Sequence, residues 1–472
     1  MKANIICGYG ASEIRRQKDG EGTLLLSSDR QSGNVLLDVD GISRELSSEF
    51  DPVSRDLCEI AAYVYLADKA IPRGRHENWI RNLSFVVAVR DCDRWEEVKP
   101  ILTNAVGFLS GDNVEFRFVR KKGESETRPV VDQHPASPRA DSDCVSLFSG
   151  GLDSLAGAVY LIQNGRRPLF ASHHASPQLK VLQNKLMQAV GREFDRSFEH
   201  LKYRVTSHKT STSPPYKRKE SSHRARSFMF LSFAAAAAAV RGLSDIYICE
   251  NGVMSLNVPI SEARKGSRST RHAHPLFLRY FNELISALYG RKFSVRNSFA
   301  FWTKSEECKL LRSTKLLPQI KHTVTCWGYP NLTLRYKDSN HCGSCLPCIV
   351  RRISLIASGL EKYDDRYIFD IFNPGNEATE KQLRNIEDLI FFCNRFAHLS
   401  KTELLYEYPE LVMVEGGLNG TGEDRIGRII QVYKEFADEV LSAIGHRNPA
   451  IVRSTLDEVA VLGHLTPYAT SV

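Results

Sequence analysis

The chain has 472 residues, 42% of them hydrophobic and 25% charged, the make-up of a globular protein, which excludes wholesale disorder. At roughly 150 residues per domain, the length suggests about three domains. The 63 basic and 55 acidic residues leave a net charge of +8, compatible with an anionic ligand or partner without demanding one.

The N-terminal stretch MKANIICGYGASEIRRQ lacks the apolar core and cleavage pattern of a signal peptide, so a cytoplasmic setting is expected. Residues 1–135 alternate short apolar runs (Leu24–Leu26, Val35–Leu37, Ser84–Val89) with amphipathic stretches (Leu57–Ala67, Trp95–Phe108). This predicts an α+β N-terminal domain. Lys121 to Asp143 is charged, carries Pro129, Pro135 and Pro138, and reads as a linker.

From residue 140 to 360 the pattern is strand, loop, helix, repeated. Strands are expected at Val145–Phe148, Leu169–Ser172, near Tyr203–Thr206 and at Asp245–Cys249. Helices are expected at Leu155–Gln163, Gln178–Val190 and Ser227–Arg241, the last with small residues Ala234 to Ala239 for close packing. The alternation predicts an α/β domain, a parallel sheet with helices on both faces. The longest largely apolar run, Phe228 to Val240, spans 13 residues, too few to cross a bilayer. Residues 361–472 show helical spacing at Gln382–Arg395 and Arg425–Ile444 without a comparable strand run, which predicts a helical C-terminal domain.

Two basic stretches interrupt the central segment. His208–Arg226 holds Lys209, Lys217, Arg218, Lys219, Arg224 and Arg226 against Glu220, and Ser261–His274 holds Arg264, Lys265, Arg268 and Arg271 against Glu262. They read either as solvated loops or as lids over anionic phosphates or a partner chain. With Tyr216 the only Phe, Trp or Tyr in either stretch, they lack interleaved aromatic residues for stacking on nucleic-acid bases.

The most informative segment runs Val145-Ser-Leu-Phe-Ser-Gly-Gly-Leu-Asp-Ser154, a strand entering a glycine turn that opens a helix. Gly150 and Gly151 let the backbone approach a phosphate, and the amides from Leu152 onward point at that anion with the helix dipole. The hydroxyls of Ser149 and Ser154 add donors. A carboxylate beside phosphate, Asp153, makes sense if it holds Mg²⁺. Gly-Lys-Ser/Thr is missing, so the loop is not of the Walker type. It resembles the SGGxDS signature of the PP-loop ATP pyrophosphatases, which implies ATP binding by Ser149, Gly150, Gly151, Leu152, Asp153 and Ser154.

Four of the eleven cysteines lie between positions 326 and 348. Cys342, Cys345 and Cys348 sit two Cys-x-x-Cys steps apart, and fifteen residues separate Cys326 from Cys342. Four thiolates suit a closed, structural Zn²⁺ site, with an iron–sulfur cluster or a sulfur-carrying redox pair as the other readings. The remaining seven cysteines read as small buried apolar residues.

A PP-loop followed by Cys326, Cys342, Cys345, Cys348 and Arg351 resembles the 7-cyano-7-deazaguanine synthases, the QueC family, over residues 140–360. Arg226-Ser-Phe-Met-Phe-Leu-Ser232 is similar to a family helix, with Ser227 where Asn is usual, and Thr303-Lys304-Ser305-Glu306 matches a segment ahead of the cysteines. The resemblance implies that ATP is attacked at its α-phosphate by a 7-deazaguanine carboxylate, giving an acyl-adenylate and pyrophosphate. An amine then displaces AMP to form an amide, which the family converts to a nitrile with a second ATP. It implies catalytic roles for Asp153, Ser149, Ser154 and Lys304, and a phosphate contact for Arg226. Glu250 and Asn251, at the carboxyl end of a strand, become candidates for substrate binding.

The loop Glu250-Asn-Gly-Val-Met-Ser-Leu-Asn257 departs from the family's usual segment, which bears on the nitrile step. Both flanking units also exceed the family's length. The extended architecture is similar to the QueC-like subunits of bacterial anti-phage operons, notably QatC of the Qat system. That implies a protein partner from the same operon as amine acceptor, docked by the added domains (residues 1–135 among them), with no requirement for nucleic acid or membrane. Two other readings are a PP-loop enzyme that modifies tRNA and a non-catalytic nucleotide-binding subunit of a defence complex.

Overall fold

Strands followed by helical runs recur along the chain, and in the computed structural model they close into two parallel sheets. The structure describes residues 2–8, 23–29, 33–46, 48–74, 79–121, 141–207, 220, 222–260, 271–329, 339–375, 378–413 and 425–461. Most of the expected linker (122–140 of 121–143) and most of both basic stretches (208–219, 221 and 261–270) lie outside the described residues. The strands of the N-terminal unit are β1 (Lys2–Cys7), β2 (Thr23–Leu26), β3 (Val35–Leu36), β4 (Asn82–Val89) and β5 (Asn113–Arg120). Those of the central unit are β6 (Cys144–Leu147), β7 (Pro168–His173), β8 (His200–Tyr203), β9 (Thr206–Ser207), β10 (Asp245–Ile248) and β11 (Ser294–Asn297).

The N-terminal sheet has the order β2-β1-β4-β5, with every pair parallel. It buries one face: in β5, Val114, Phe116 and Phe118 turn inward while Asn113, Glu115 and Arg117 are exposed. That strict alternation is the signature of a half-buried strand. Helices Pro52–Ala70 and Cys92–Ser110 share the core of the inner face. Each starts on an aspartate: Asp51 accepts from Ser54 N–H at 2.7 Å and Asp91 from Arg94 N–H at 3.1 Å, satisfying amides that the helix itself leaves open.

The central sheet has the order β11-β10-β6-β7-β8, again all parallel. Its middle strands are buried, with Val145, Leu169 and Ile246 fully inaccessible, as a sheet covered on both faces requires. Helices Arg226–Val240 and Pro275–Tyr289 share one core with one face, and Leu152–Gln163 and Pro177–Glu193 share another. This is the α/β arrangement expected from the sequence.

One continuous apolar core joins the two sheets. Helix Pro52–Ala70 packs on Arg226–Val240, where Ala234 to Ala238 are all buried, and Cys92–Ser110 packs on Pro275–Tyr289. β3 pairs antiparallel with β9. Under this seam, buried Arg81 reaches Asp68 and Asp112 at 2.6 Å each, and Arg73 reaches Asp112 at 2.7 Å. Asp68 also accepts the N–H of Ala225 at 3.0 Å, so the N-terminal unit sets where the Arg226 helix begins. Past residue 361 the regular elements of the described residues are all helices, apart from one bridge, His341 to Tyr367. Helices Glu380–His398 and Arg425–Arg447 pack together, and the latter also packs on Leu346–Ala357. No helix of the described residues is long and apolar enough to cross a membrane.

Burial works against the Asp112 carboxylate, yet hydrogen bonds and charge from Arg81 and Arg73 outweigh it and hold its pKa below the usual range. Its stabilisation is therefore full above the ordinary carboxylate pKa and lost as pH falls through the lowered one. Asp112→Ala leaves two buried guanidinium groups short of a partner and is expected to lower stability by about 3–5 kcal/mol, read by urea unfolding.

Candidate active site at the switch point of the central sheet

From β6 the chain winds outward through β7 to β8, then returns to place β10 and β11 on the other side of β6. The carboxyl ends of β6 and β10 therefore flank the point where the winding reverses, the place where open α/β sheets bind ligands. The loop after β6 is Ser149–Gly151, and the loop after β10 carries Glu250 and Asn251.

Gly150 has φ +85°, and a Cβ there would lie 3.0 Å from Leu182 and 3.2 Å from Gln183, so both conformation and space call for glycine. Gly151 is the N-cap of helix Leu152–Gln163, whose first amides have no intrahelical acceptor. Ser149 is exposed, and its Oγ accepts the Gly151 N–H at 3.1 Å. The Ser154 hydroxyl donates to the Gly151 carbonyl at 2.9 Å. Gln183 Nε2 donates to the carbonyls of Ser149 (3.0 Å) and His173 (3.1 Å). The N–H of Val324 donates to the Gly150 carbonyl at 3.0 Å. The loop is thus pinned from two sides with its helix amides facing an anion site. The Leu152 side chain is buried in the core, so only its amide can serve a nucleotide.

Asp153 is the junction of three loops. One oxygen pairs with Lys304 Nζ, and the other accepts from Asn251 Nδ2 at 3.2 Å. Thr303 and Glu306 form a reciprocal cap, with Thr303 N–H donating to Glu306 Oε2 at 2.7 Å. The Thr-Lys-Ser-Glu pattern is therefore a capping box that aims Lys304 at Asp153 from the first turn of helix Lys304–Lys309. Burial lowers the Lys304 pKa, with Glu307 opposing it. Burial pushes Glu307 well above the carboxyl range, and neither of its oxygens finds a hydrogen bond among the described residues.

Glu250 sits beside this junction. Asn251 Nδ2 lies 3.3 Å from one of its oxygens and His272 Nε2 3.1 Å from the other. Asn297, at the end of β11, holds its backbone by accepting the Glu250 N–H (3.1 Å) and donating to its carbonyl (2.8 Å). Burial raises Glu250 to about 7, with Arg226 opposing, and lowers His272 to about 4, with Arg226 adding to the shift. Arg226 is exposed at the start of its helix, with its guanidinium 5.7 Å from the Phe230 ring. Burial, then the charge of Arg226, also lowers Lys69 of the N-terminal unit, so two units contribute positive charge to the rim.

The sulfurs of Cys326, Cys342, Cys345 and Cys348 all lie within 4.8 Å of one another, with 3.9 Å for two of the pairs. A tetrahedral zinc with Zn–S of 2.3 Å needs sulfurs about 3.8 Å apart, so the cluster fits a single ion. Amides of Cys345 and Gly328 donate to Cys342 and Cys326 sulfurs at 3.3 Å each. Gly343, at φ +84°, admits no Cβ, which would meet the Phe369 carbonyl at 2.0 Å. Arg351 is fully buried; it binds Thr323 Oγ1 (2.7 Å), the Ile320 carbonyl (2.7 Å) and Asp364 (2.9 Å). It thereby clamps the segment that carries Val324 against Gly150.

The structure brings together Ser149, Gly150, Gly151, Asp153, Ser154, Lys304, Glu250 and Asn251, with Arg226 at the rim and the cysteines behind the loop. Sequence reasoning missed Gln183, His272, Asn297, Tyr433 and Glu439. Tyr433 OH accepts the Val258 N–H and donates to the Val253 carbonyl, both at 3.0 Å. Glu439 accepts from the hydroxyls of Thr303 and Ser305. Helix Arg425–Arg447 thus supports both the Asn251 and the Lys304 loops.

Sheet, switch point and loop define an α/β nucleotide-binding domain of the PP-loop class. Residues 143–359 match the family described as Queuosine biosynthesis protein QueC, and this stretch is a QueC-like PP-loop domain. The match supports an ATP-using enzyme of the synthase or ligase type. A search of curated proteins finds no match to the chain.

Tyr433→Phe leaves the buried Val258 amide unpaired, while the Val253 carbonyl keeps the Asn257 N–H at 3.1 Å. It is expected to lower stability by about 1–3 kcal/mol in chemical unfolding and to reduce nucleotide-dependent turnover, because the Asn251 loop loses its brace.

Proposed function

We propose that the chain adenylates a 7-deazaguanine carboxylate with ATP and passes the acyl group to an amine, either ammonia or an amine of a protein partner. The observation that carries this reading is the Asp153 junction at the switch point, within the stretch that matches the QueC family. The substrate carboxylate attacks the α-phosphorus, forming a C–O–P linkage as the bond to the β-phosphate breaks and pyrophosphate leaves. The amine then attacks the acyl carbon, and AMP departs.

The chain's own contribution is positioning and charge neutralisation. The helix amides, Ser149 and Ser154 hold the leaving pyrophosphate, and Arg226 neutralises phosphate at the rim. Asp153 would hold Mg²⁺, which supplies positive charge to the phosphates when bound. Lys304, in its present place, balances the Asp153 carboxylate, and Glu250 and Asn251 border the substrate side. The four cysteines would hold structural Zn²⁺, whose closed shell leaves no position for catalysis.

In the cell, this reading makes the protein a cytoplasmic QueC-like subunit of the QatC kind, acting in anti-phage defence with a partner encoded beside it. The reach of both flanking units to the PP-loop crevice supports it: Lys69 lies at the rim, and Tyr433 and Glu439 lie beneath the loops. A partner chain carrying the accepting amine would approach across that rim.

The test is mass spectrometry after incubation with Mg-ATP, 7-carboxy-7-deazaguanine, ammonia and the partner protein. Pyrophosphate with an amide, a nitrile or a mass shift on the partner is expected, and which product forms identifies the acceptor. Asp153→Asn is expected to reduce pyrophosphate release by at least about 100-fold; survival of both release and product would sink the reading. Purified protein is expected to carry one zinc per chain, and Cys345→Ser to lose it along with thermal stability and ATP affinity, since the knuckle anchors Val324. Metal well below half an equivalent, with Cys345→Ser fully stable, would refute the zinc assignment.

A further inference from the structure

The second step of that reaction needs a proton acceptor, because an amine that attacks an acyl carbon must shed a proton to become an amide. Asp153 is engaged by Lys304 and Asn251, and Lys304 is buried in that pair. Glu250 differs. Its side chain is 23% exposed, open to the crevice, and its two oxygens are fixed by His272 and Asn251. Asn251 bridges it to the PP-loop carboxylate, at 3.3 Å on one side and 3.2 Å on the other. Asn297 holds its backbone at both N–H and carbonyl.

We propose that Glu250, oriented by His272 and Asn251, accepts the proton of the attacking amine during displacement of AMP. The inference rests on the adenylation reading above. The amine nitrogen bonds to the acyl carbon, the bond from that carbon to the AMP oxygen breaks, and its electron pair leaves with AMP. The proton from nitrogen passes to a Glu250 oxygen and then to water in the crevice.

The charged surroundings suit this role. Arg226 faces Glu250 from the Arg226–Val240 helix, His272 from the segment before Pro275–Tyr289, and Glu307 from the Lys304–Lys309 helix. Cys249 precedes it in its own loop, and Asp153 and Lys304 lie beyond Asn251. Burial outweighs Arg226 and brings the carboxyl to about 7, where about half of it is ionised at neutral pH and the carboxylate is an effective base. His272, pushed to about 4, stays neutral and keeps Glu250 in place.

The experiment separates the two half-reactions in the full-length protein. Adenylation is read as the pyrophosphate burst with the deazaguanine acid, and amine transfer as AMP and amide formation with ammonia, corrected for the free-amine fraction. Glu250→Gln is expected to slow transfer at least about 100-fold more than adenylation. It should also abolish the rise in corrected transfer rate through pH 7, which exists because only the carboxylate accepts a proton. Hydroxylamine, whose lower basicity lets the nitrogen lose its proton to water as it adds to the acyl carbon, is expected to restore transfer. Glu250→Asp should keep the pH dependence and lose less.

Equal slowing of both half-reactions, no rescue by hydroxylamine, or equal loss in the Asp and Gln variants would overturn the proposal while leaving adenylation standing. A wild-type protein that releases no pyrophosphate would instead overturn the underlying reading, and this inference with it.

Discussion

The pairing of Asp153 with Lys304 and Asn251 joins chain positions 151 and 98 residues apart. No local preference could bring those three loops together, so the rest of the structure can be understood as what holds them there. An unpaired carboxylate at that depth would carry a desolvation penalty that its two partners offset. The Lys304 ammonium and the Asn251 amide each approach from a segment with its own external brace. Glu439 accepts from Thr303 and Ser305 around Lys304, and Tyr433 bonds to the Val253 carbonyl and the Val258 amide just after Asn251. Both braces come from one helix, Arg425–Arg447. The C-terminal unit is thus a support for the crevice and not an appendage to it.

A second support reaches the phosphate loop from below. Val324 donates to the Gly150 carbonyl, and two residues later Cys326 enters the four-sulfur cluster. Buried Arg351 ties Thr323, Ile320 and Asp364 into the same short stretch. A metal held there would supply folding energy, part of which would fix the position of a glycine at φ +85°. The cysteine cluster and the phosphate loop are joined through one backbone hydrogen bond.

Much of this was legible in the sequence wherever the chemistry is contiguous. Ser149-Gly-Gly-Leu-Asp-Ser154 and the paired Cys-x-x-Cys steps announce themselves because spacing alone sets their geometry, and Lys304 was found because Thr303-Lys304-Ser305-Glu306 is similar to a family segment. His272 was hidden in a run that reads as basic loop. Gln183, Tyr433 and Glu439 lie on amphipathic helices, where nothing in the spacing tells a bracing polar group from a solvated one. The fold follows the same division. β10, Asp-Ile-Tyr-Ile, carries its pattern openly, whereas β11, Ser-Val-Arg-Asn, buries one side chain of four and gives periodicity little to work on. The alternation in β5 was present and overlooked.

The shared core between the two sheets has a consequence for specificity. Parallel sheets normally hide both faces, and the N-terminal one turns a single face toward the catalytic domain while the other keeps Asn113, Glu115 and Arg117 exposed. Its role at the seam is positional. Asp68, already bound to Arg81, takes the Ala225 amide and so decides where the following helix starts. That start is Arg226, whose charge acts on Glu250, His272 and Lys69. A buried ion pair far from phosphate therefore sets how much positive charge faces the crevice, and with it the balance between burial and attraction at Glu250. Loss of the N-terminal unit would remove Lys69 and free the Arg226 helix to begin elsewhere. The tuning of the crevice is in this sense distributed over all three units, although its chemistry sits in one.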